Sequence, residues 1–250
     1  MIFEAANFNI NSFKPPPQVR WARRILIKPH ADYPLTYPIT TSRESLGMLI
    51  RGIRRVSDAD IILLGGSPQR ESMRSIYQEL GYDFPGVIAL DVNDCVYVEV
   101  ENPLAHPFAL PTFWLPNVLL YCDYLITITP FKVFAKQGSF SIRNLLGLLP
   151  ISKYQGEGGT DWGALYSLGI DRVIADLYFT LPFDLGIIDA RKRFFGTAEP
   201  GEGGAEEYGK IFLGDPYEAD CEASQSVSLV TEYLQLIEAA KSQLSGDDED

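Results

Sequence analysis

Short aliphatic runs punctuate the chain: Ile25–Ile27, Ile61–Leu64, Val87–Leu90, Tyr124–Thr129, Leu185–Ile188 and Ile211–Leu213. They are continuous rather than alternating, the mark of strands covered on both faces. Between them apolar residues recur at helical spacing. Leu46, Leu49, Ile50 and Ile53 define one helix face, and Met73, Ile76, Tyr77 and Leu80 another. Further helices are expected from Asp161 to Phe179 and from Ser224 to Leu244. Thr41 reads as an N-cap, with Glu44 three residues on completing a capping box, and Gly81 as a C-terminal stop. Cys95–Val100 alternates, which predicts an antiparallel edge strand. The proline-bearing stretch 101–117 reads as a structured loop. The opening grammar is strand, helix, strand, helix, strand. It predicts an α/β fold: a doubly wound, mostly parallel open sheet with helices on both faces.

The expected organisation is an irregular arm over residues 1–20, a single α/β domain over 21–244 and a disordered acidic tail over 245–250. Two Gly-Glu-Gly-Gly stretches, Gly156–Gly159 and Gly201–Gly204, read as flexible connections, or as lids whose backbone amides meet an anion.

Composition narrows the partners. The chain has 250 residues, 46% of them hydrophobic, enough for one large core. No apolar run approaches the roughly 18 residues that span a bilayer. The first residues lack a signal-peptide pattern. A cytoplasmic protein with no membrane partner is the expectation. The formal net charge is −12, which argues against nucleic acid as a partner. The basic run Arg20–Arg24 reads as a solvated lead-in to the first strand. Cys95, Cys122 and Cys221 are far apart and form no C-x-x-C pair, so no iron–sulfur cluster is encoded in this chain.

In open α/β sheets, ligands bind beyond the carboxyl ends of the strands. Lys28 and His30 follow the first strand, at the corner Lys28-Pro29-His30. Lys132 follows the fourth run, Asp189 and Arg191 the fifth, and Asp215 the sixth. Cations with interspersed carboxylates suit a small anionic molecule. His30 is a candidate general base, because histidine titrates near neutrality. His106 has no partner at metal-ligand spacing and reads as structural. Gly65-Gly66-Ser67-Pro68 lacks the lysine of a P-loop. Neither G-x-S-x-G nor H-E-x-x-H occurs.

Four stretches together carry a resemblance: "ILIKPH", "PITTSRESLGMLIRGI", "CDYLITITPFK…SIRNLLGLLP" and "LGIIDARKRFFG…GEGG…FLGDPYEAD". Over residues 22–223 and in this order, the chain resembles the family "domain of unknown function 362". Lys28, Pro29, Pro38, Thr41, Asp123, Lys132, Asn144, Gly147, Asp189, Gly201, Gly204, Asp215 and Asp220 match the family pattern. His30 stands where the family has asparagine, Arg143 where it has lysine, and Phe134 near the place of its loop histidine. Some relatives carry an iron–sulfur module, which implies redox company; this chain has no such module.

The expected function is an enzyme acting on a small carboxylate or phosphate metabolite, with a metal or redox link left open. Lys28, Thr41, Lys132, Arg143, Asn144 and Arg191 would bind the substrate. His30 and Asp189 would move protons, and Asp215 and Asp220 would hold a divalent metal. The alternative is a non-catalytic small-molecule-binding or assembly protein. A homo-oligomer fits either.

Overall fold

Continuous Ile/Leu/Val runs leave no polar row for water, so they form strands buried on both faces. The computed structural model describes residues 2–4, 13–134, 137–156, 162–196 and 201–246. In chain order its strands are β1 (Ile2–Glu4), β2 (Arg24–Pro29), β3 (Asp60–Gly65), β4 (Val87–Asp91), β5 (Tyr97–Glu101), β6 (Thr112–Pro116), β7 (Tyr124–Phe134), β8 (Gln137–Ser139), β9 (Leu185–Gly196) and β10 (Gly203–Gly214). Its α-helices are α1 (Arg43–Arg54), α2 (Met73–Glu79), α3 (Ile151–Tyr154), α4 (Gly163–Ser167), α5 (Ile170–Thr180), α6 (Pro216–Ser226) and α7 (Glu232–Gly246).

The main sheet runs β1-β10-β9-β7-β2-β3-β4, with β8 added to β7. Strands β9, β7, β2, β3 and β4 are parallel; β10, β1 and β8 pair antiparallel. From β2 the chain winds outward to β3 and β4. It then returns to lay β7 on the other side of β2. That reversal puts a topological switch point between β2 and β7.

Helices cover both faces. Helices α1 and α2 pack on the side of Ile25, Ile27, Ile61 and Leu63. Leu26, Ile62 and Leu125 face the other way, against Leu145, Leu148 and residues of α5 and α7. Strand parity therefore sends Lys28 to the face of Leu26. A third cluster, Phe131, Phe140, Ile188, Phe212 and Ala223, lies near α6. Among the described residues no helix is long and apolar enough to cross a membrane.

Several local expectations change. Ser42, not Thr41, caps α1, its side chain accepting from the Ser45 amide at 3.0 Å. Thr41 is buried one residue earlier and bridges two strands. The helix expected over 161–179 breaks at Gly169 (φ 89) into α4 and α5. The last helix divides into α6 and α7 around Ser228 (φ 53). Cys95–Val100 contributes to β5, but β5 pairs with β6 from the proline-bearing stretch in a separate two-stranded sheet. The fourth run does not stop at Thr129. β7 continues to Phe134, because Pro130 sits at a register break against β9 and past the last pairing with β2. Gly81 takes φ 70 just beyond α2, as a helix stop requires. Residues 5–12 of the arm, 157–159 of the first glycine-rich stretch and 247–250 of the tail lie outside the described residues. Residues 245 and 246 close α7.

Candidate functional site

The switch point opens into a cleft of about 830 Å³. His30, just past β2, Lys132 on β7, and Arg143 and Asn144 of the 3₁₀ turn Arg143–Leu148 supply its polar wall. Phe134, Phe194, Trp162 and Tyr166 supply aromatic surface. A cleft of this size that combines aromatic surface with convergent polar groups, Asp32 among them, has the form of a ligand site.

Asn144 fixes the corner. Its amide nitrogen donates to the carbonyl of Lys28 at 3.1 Å. Its Oδ1 must then accept, and it does so from Lys28 Nζ at 3.2 Å and from His30 Nδ1 at 3.2 Å. This network assigns the tautomer: His30 carries its proton on Nδ1 and presents the Nε2 lone pair. Lys132 Nζ meets that lone pair. Below, Thr41 ties the strand ends together. Its Oγ1 accepts from the His30 amide at 2.9 Å and donates to the Ile128 carbonyl at 2.8 Å.

The electrostatics follow from burial. Burial pulls His30 down to about 3; the Asp32 charge opposes this, and the charges of Lys132 and Lys28 add to it. The imidazole is neutral at physiological pH. Burial also pulls Lys132 down to about 7; the Asp32 charge opposes this, and Lys28 and Arg143 push the same way as burial. Lys28 is lowered by burial, with Asp32 opposing. Lys28 lies behind the wall, donating to the Pro29 carbonyl at 2.9 Å and sitting 3.7 Å from Asp32. Burial raises the Asp32 carboxyl, but His30, Lys28 and Lys132 outweigh it and hold it below the usual range. Two buried polar atoms of this corner lack a hydrogen-bond partner among the described residues: Asp32 Oδ1 and Arg143 Nη1. Gly147 completes the corner, since a Cβ there would come within 2.6 Å of Lys28 Nζ.

The other expected residues lie elsewhere. Asp189 faces α1, on the sheet face opposite Lys28. It accepts from Ser45 Oγ at 2.6 Å, Tyr37 Oη at 3.1 Å and Arg191 Nε at 3.0 Å. Arg191 reaches on to Ser42 and to Glu44, the latter at 2.5 Å. Asp189 and Arg191 thus meet each other and α1 rather than the cleft. Asp215 caps α6, accepting from the amides of Tyr217 at 3.0 Å and Glu218 at 3.1 Å. Asp220 is buried and accepts from the Ser141 amide at 2.9 Å, Ser141 Oγ at 2.5 Å, the Ile142 amide at 3.0 Å and Tyr233 Oη at 2.9 Å. Both carboxylates are engaged in holding chain segments. Among the described residues no group of three or more His, Cys, Asp or Glu is placed to hold a metal ion.

Sequence reasoning passed over Asp32 and the aromatic wall. Asp32 follows the strand in irregular backbone, where no periodicity assigns a direction. Its one signal is proximity: two residues past His30 and four past Lys28. Gly201, from the second glycine-rich stretch, lines the cleft.

No curated protein matches the chain. Among solved structures, the lactate racemase apoprotein from Thermoanaerobacterium thermosaccharolyticum is similar in fold, with a TM-score of 0.55 at 13% sequence identity. The likeness covers 90% of this chain and 54% of that one, so this chain spans about half the neighbour's length. The model of a domain of unknown function, DUF362, matches residues 25–225, and the chain belongs to that family.

Proposed function

We propose that the chain is an enzyme acting on a small carboxylate-bearing anion in the cleft at the β2–β7 switch point. One observation carries this reading. Among the described residues Arg143 Nη1 is buried without a hydrogen-bond partner, and it lines the same cleft as Lys132, whose amine meets a neutral imidazole. A buried guanidinium nitrogen left unpaired is costly, and an anionic oxygen relieves that cost.

The roles divide by chemistry. Arg143 binds the carboxylate. Lys132 is the group that gains or loses a proton near neutrality, which suits general acid–base work. His30 accepts an N–H from Lys132 and fixes its direction. Lys28, Asn144 and Thr41 hold His30 in place from behind. Asp189 and Arg191 clamp β9 to α1 and serve the fold. The name of the structural neighbour, lactate racemase, also specifies a small carboxylate.

Thermal-shift titration with pyruvate, lactate and inorganic phosphate tests the reading. At least one anion should raise the melting temperature, because a ligand that binds only the folded state stabilises it. Arg143→Ala and Lys132→Gln should abolish the shift. A flat response to all three anions, or an undiminished one in both variants, contradicts it.

A second reading, a non-catalytic assembly role, rests on β4. This edge strand of the main sheet leaves Ile88 48% exposed, and unprotected strand edges invite pairing. Sedimentation over a concentration series tests it, with Ile88→Lys expected to shift any dimer toward monomer.

A further inference from the structure

We propose that Lys132 is a covalent-catalysis lysine that forms an imine with the carbonyl group of a small 2-oxo acid. This rests on the anion reading of the cleft and adds the substrate class and the bond made. A lysine kept for its charge is normally paired with a carboxylate. Lys132 is 5% exposed and contacts the Nε2 lone pair of a neutral histidine. Burial disfavours its charged form most; the Asp32 carboxylate opposes this, and the cations Lys28 and Arg143 add to it. Desolvation beside another cation is the arrangement that activates lysine amines as nucleophiles.

Geometry adds direction. A neutral amine has two N–H donors and one lone pair. One N–H is held by His30 Nε2, and Lys132 lines the cleft. The lone pair is left for a ligand there. Arg143 Nη1, unpaired among the described residues, receives the carboxylate of the same molecule. A 2-oxo acid carries its carboxylate beside its carbonyl, which suits an amine and a guanidinium that line the same cleft.

The step balances without a redox partner. The ammonium first gives one proton to solvent. The amine lone pair then forms the N–C bond as the carbonyl π pair moves to oxygen, giving a carbinolamine. Both remaining N–H protons leave with that oxygen as water, and the C=N bond forms. Nothing is oxidised or reduced. At neutral pH the neutral fraction of Lys132 exceeds that of an ordinary lysine by roughly a thousandfold, given an unperturbed pKa of ~10.4.

Reductive trapping tests this on the full chain. Pyruvate or glyoxylate is added near neutral pH, followed by sodium cyanoborohydride, and tryptic peptides are read by mass spectrometry. With pyruvate, the Lys132 peptide should gain the mass of pyruvic acid less one oxygen atom. Its labelling should outpace that of exposed Lys153 by about tenfold or more, given the larger neutral fraction. Lys132→Arg should lose the adduct while Lys153 labels as before. The wild-type peptide ratio stands alone should that variant misfold. A thermal shift measured in parallel with the same acids separates the two claims. Stabilisation without trapping at Lys132 overturns the imine and leaves the anion reading intact. Neither stabilisation nor trapping overturns both. Equal labelling of Lys132 and Lys153 also overturns the imine.

Discussion

Two charged corners lie on opposite faces of the sheet, one on β9 and one where β2 meets β7, and they are built in opposite ways. At the β9 corner, Asp189 accepts from Ser45, Tyr37 and Arg191, and Arg191 continues to Ser42 and Glu44. At the β2–β7 corner, Lys132 meets a neutral histidine; among the described residues Arg143 Nη1 lacks a hydrogen-bond partner, and Asp32 Oδ1 has only the Lys28 ammonium at 3.7 Å. The first corner is closed and the second is unfinished. A fully satisfied buried pair holds segments together, whereas a buried polar group left without a partner calls for an explanation.

The sharpest way to break this contrast is to open the closed corner. Asp189→Ala removes the buried acceptor shared by Ser45, Tyr37 and Arg191, leaves Arg191 with Ser42 and Glu44, and should cost about 2–3 kcal/mol for the donors left unsatisfied. Urea denaturation measures it. A variant that keeps full stability but loses anion binding would place Asp189 in the site and erase the distinction.

Asp220 offers a closed corner of a second kind. Asp220→Asn keeps the shape but turns an N–H₂ group toward donors from Ser141, Ile142 and Tyr233. It should cost about 2–3 kcal/mol for groups left unsatisfied. Burial raises Asp220 to about 6 from an ordinary 3.8, against the pull of those donors. The folded state then holds more protons than the unfolded state across that window. The contribution is present below the unfolded pKa and is lost as pH rises toward 6. Asp220→Asn should remove this decline from a plot of urea midpoint against pH.

The open corner has the opposite signature. Lys132 is lowered from 10.5 to about 7, so between those values the unfolded chain binds more protons. Stability from this group rises with pH through the window, with a slope approaching about 1.4 kcal/mol per pH unit. Lys132→Met should flatten that rise and equal or exceed wild-type stability at the acid end of the window. A variant uniformly less stable at every pH would mark Lys132 as a packing residue.

Arg143→Lys is the mildest test. It keeps the charge and loses the fork that binds carboxylate bidentately. Anion affinity should fall by about tenfold, roughly 1.4 kcal/mol, with the melting temperature of the free protein unchanged.

Much of the scaffold was legible because continuous aliphatic runs admit few alternatives. Ile25–Ile27 and Ile61–Leu64 became central strands, and the face of Leu46, Leu49, Ile50 and Ile53 became α1. Breaks set by single residues were less so. Gly169 and Ser228 divide helices whose apolar spacing continues across them, and Pro130 fails to end β7 because it falls at a register break. Of the strand-end residues, His30 and Lys132 line the cleft. A set of strand ends carries no information on which face each side chain takes, so Asp189 and Arg191 were grouped with residues that lie across the sheet. Pairing was equally hidden, because the donors that satisfy Asp220 come from residues 79 and 78 positions earlier and 13 later.

The most direct measurement is the pH dependence of Lys132 reactivity. The protein is pulsed with acetic anhydride across a pH series, and acetylation is read peptide by peptide. An open corner predicts that Lys132 reacts with an apparent pKa near about 7. An apparent pKa near the ordinary ~10.4, or a Lys132 that stays protected while exposed Lys153 reacts, would contradict the claim that this corner is the unfinished one.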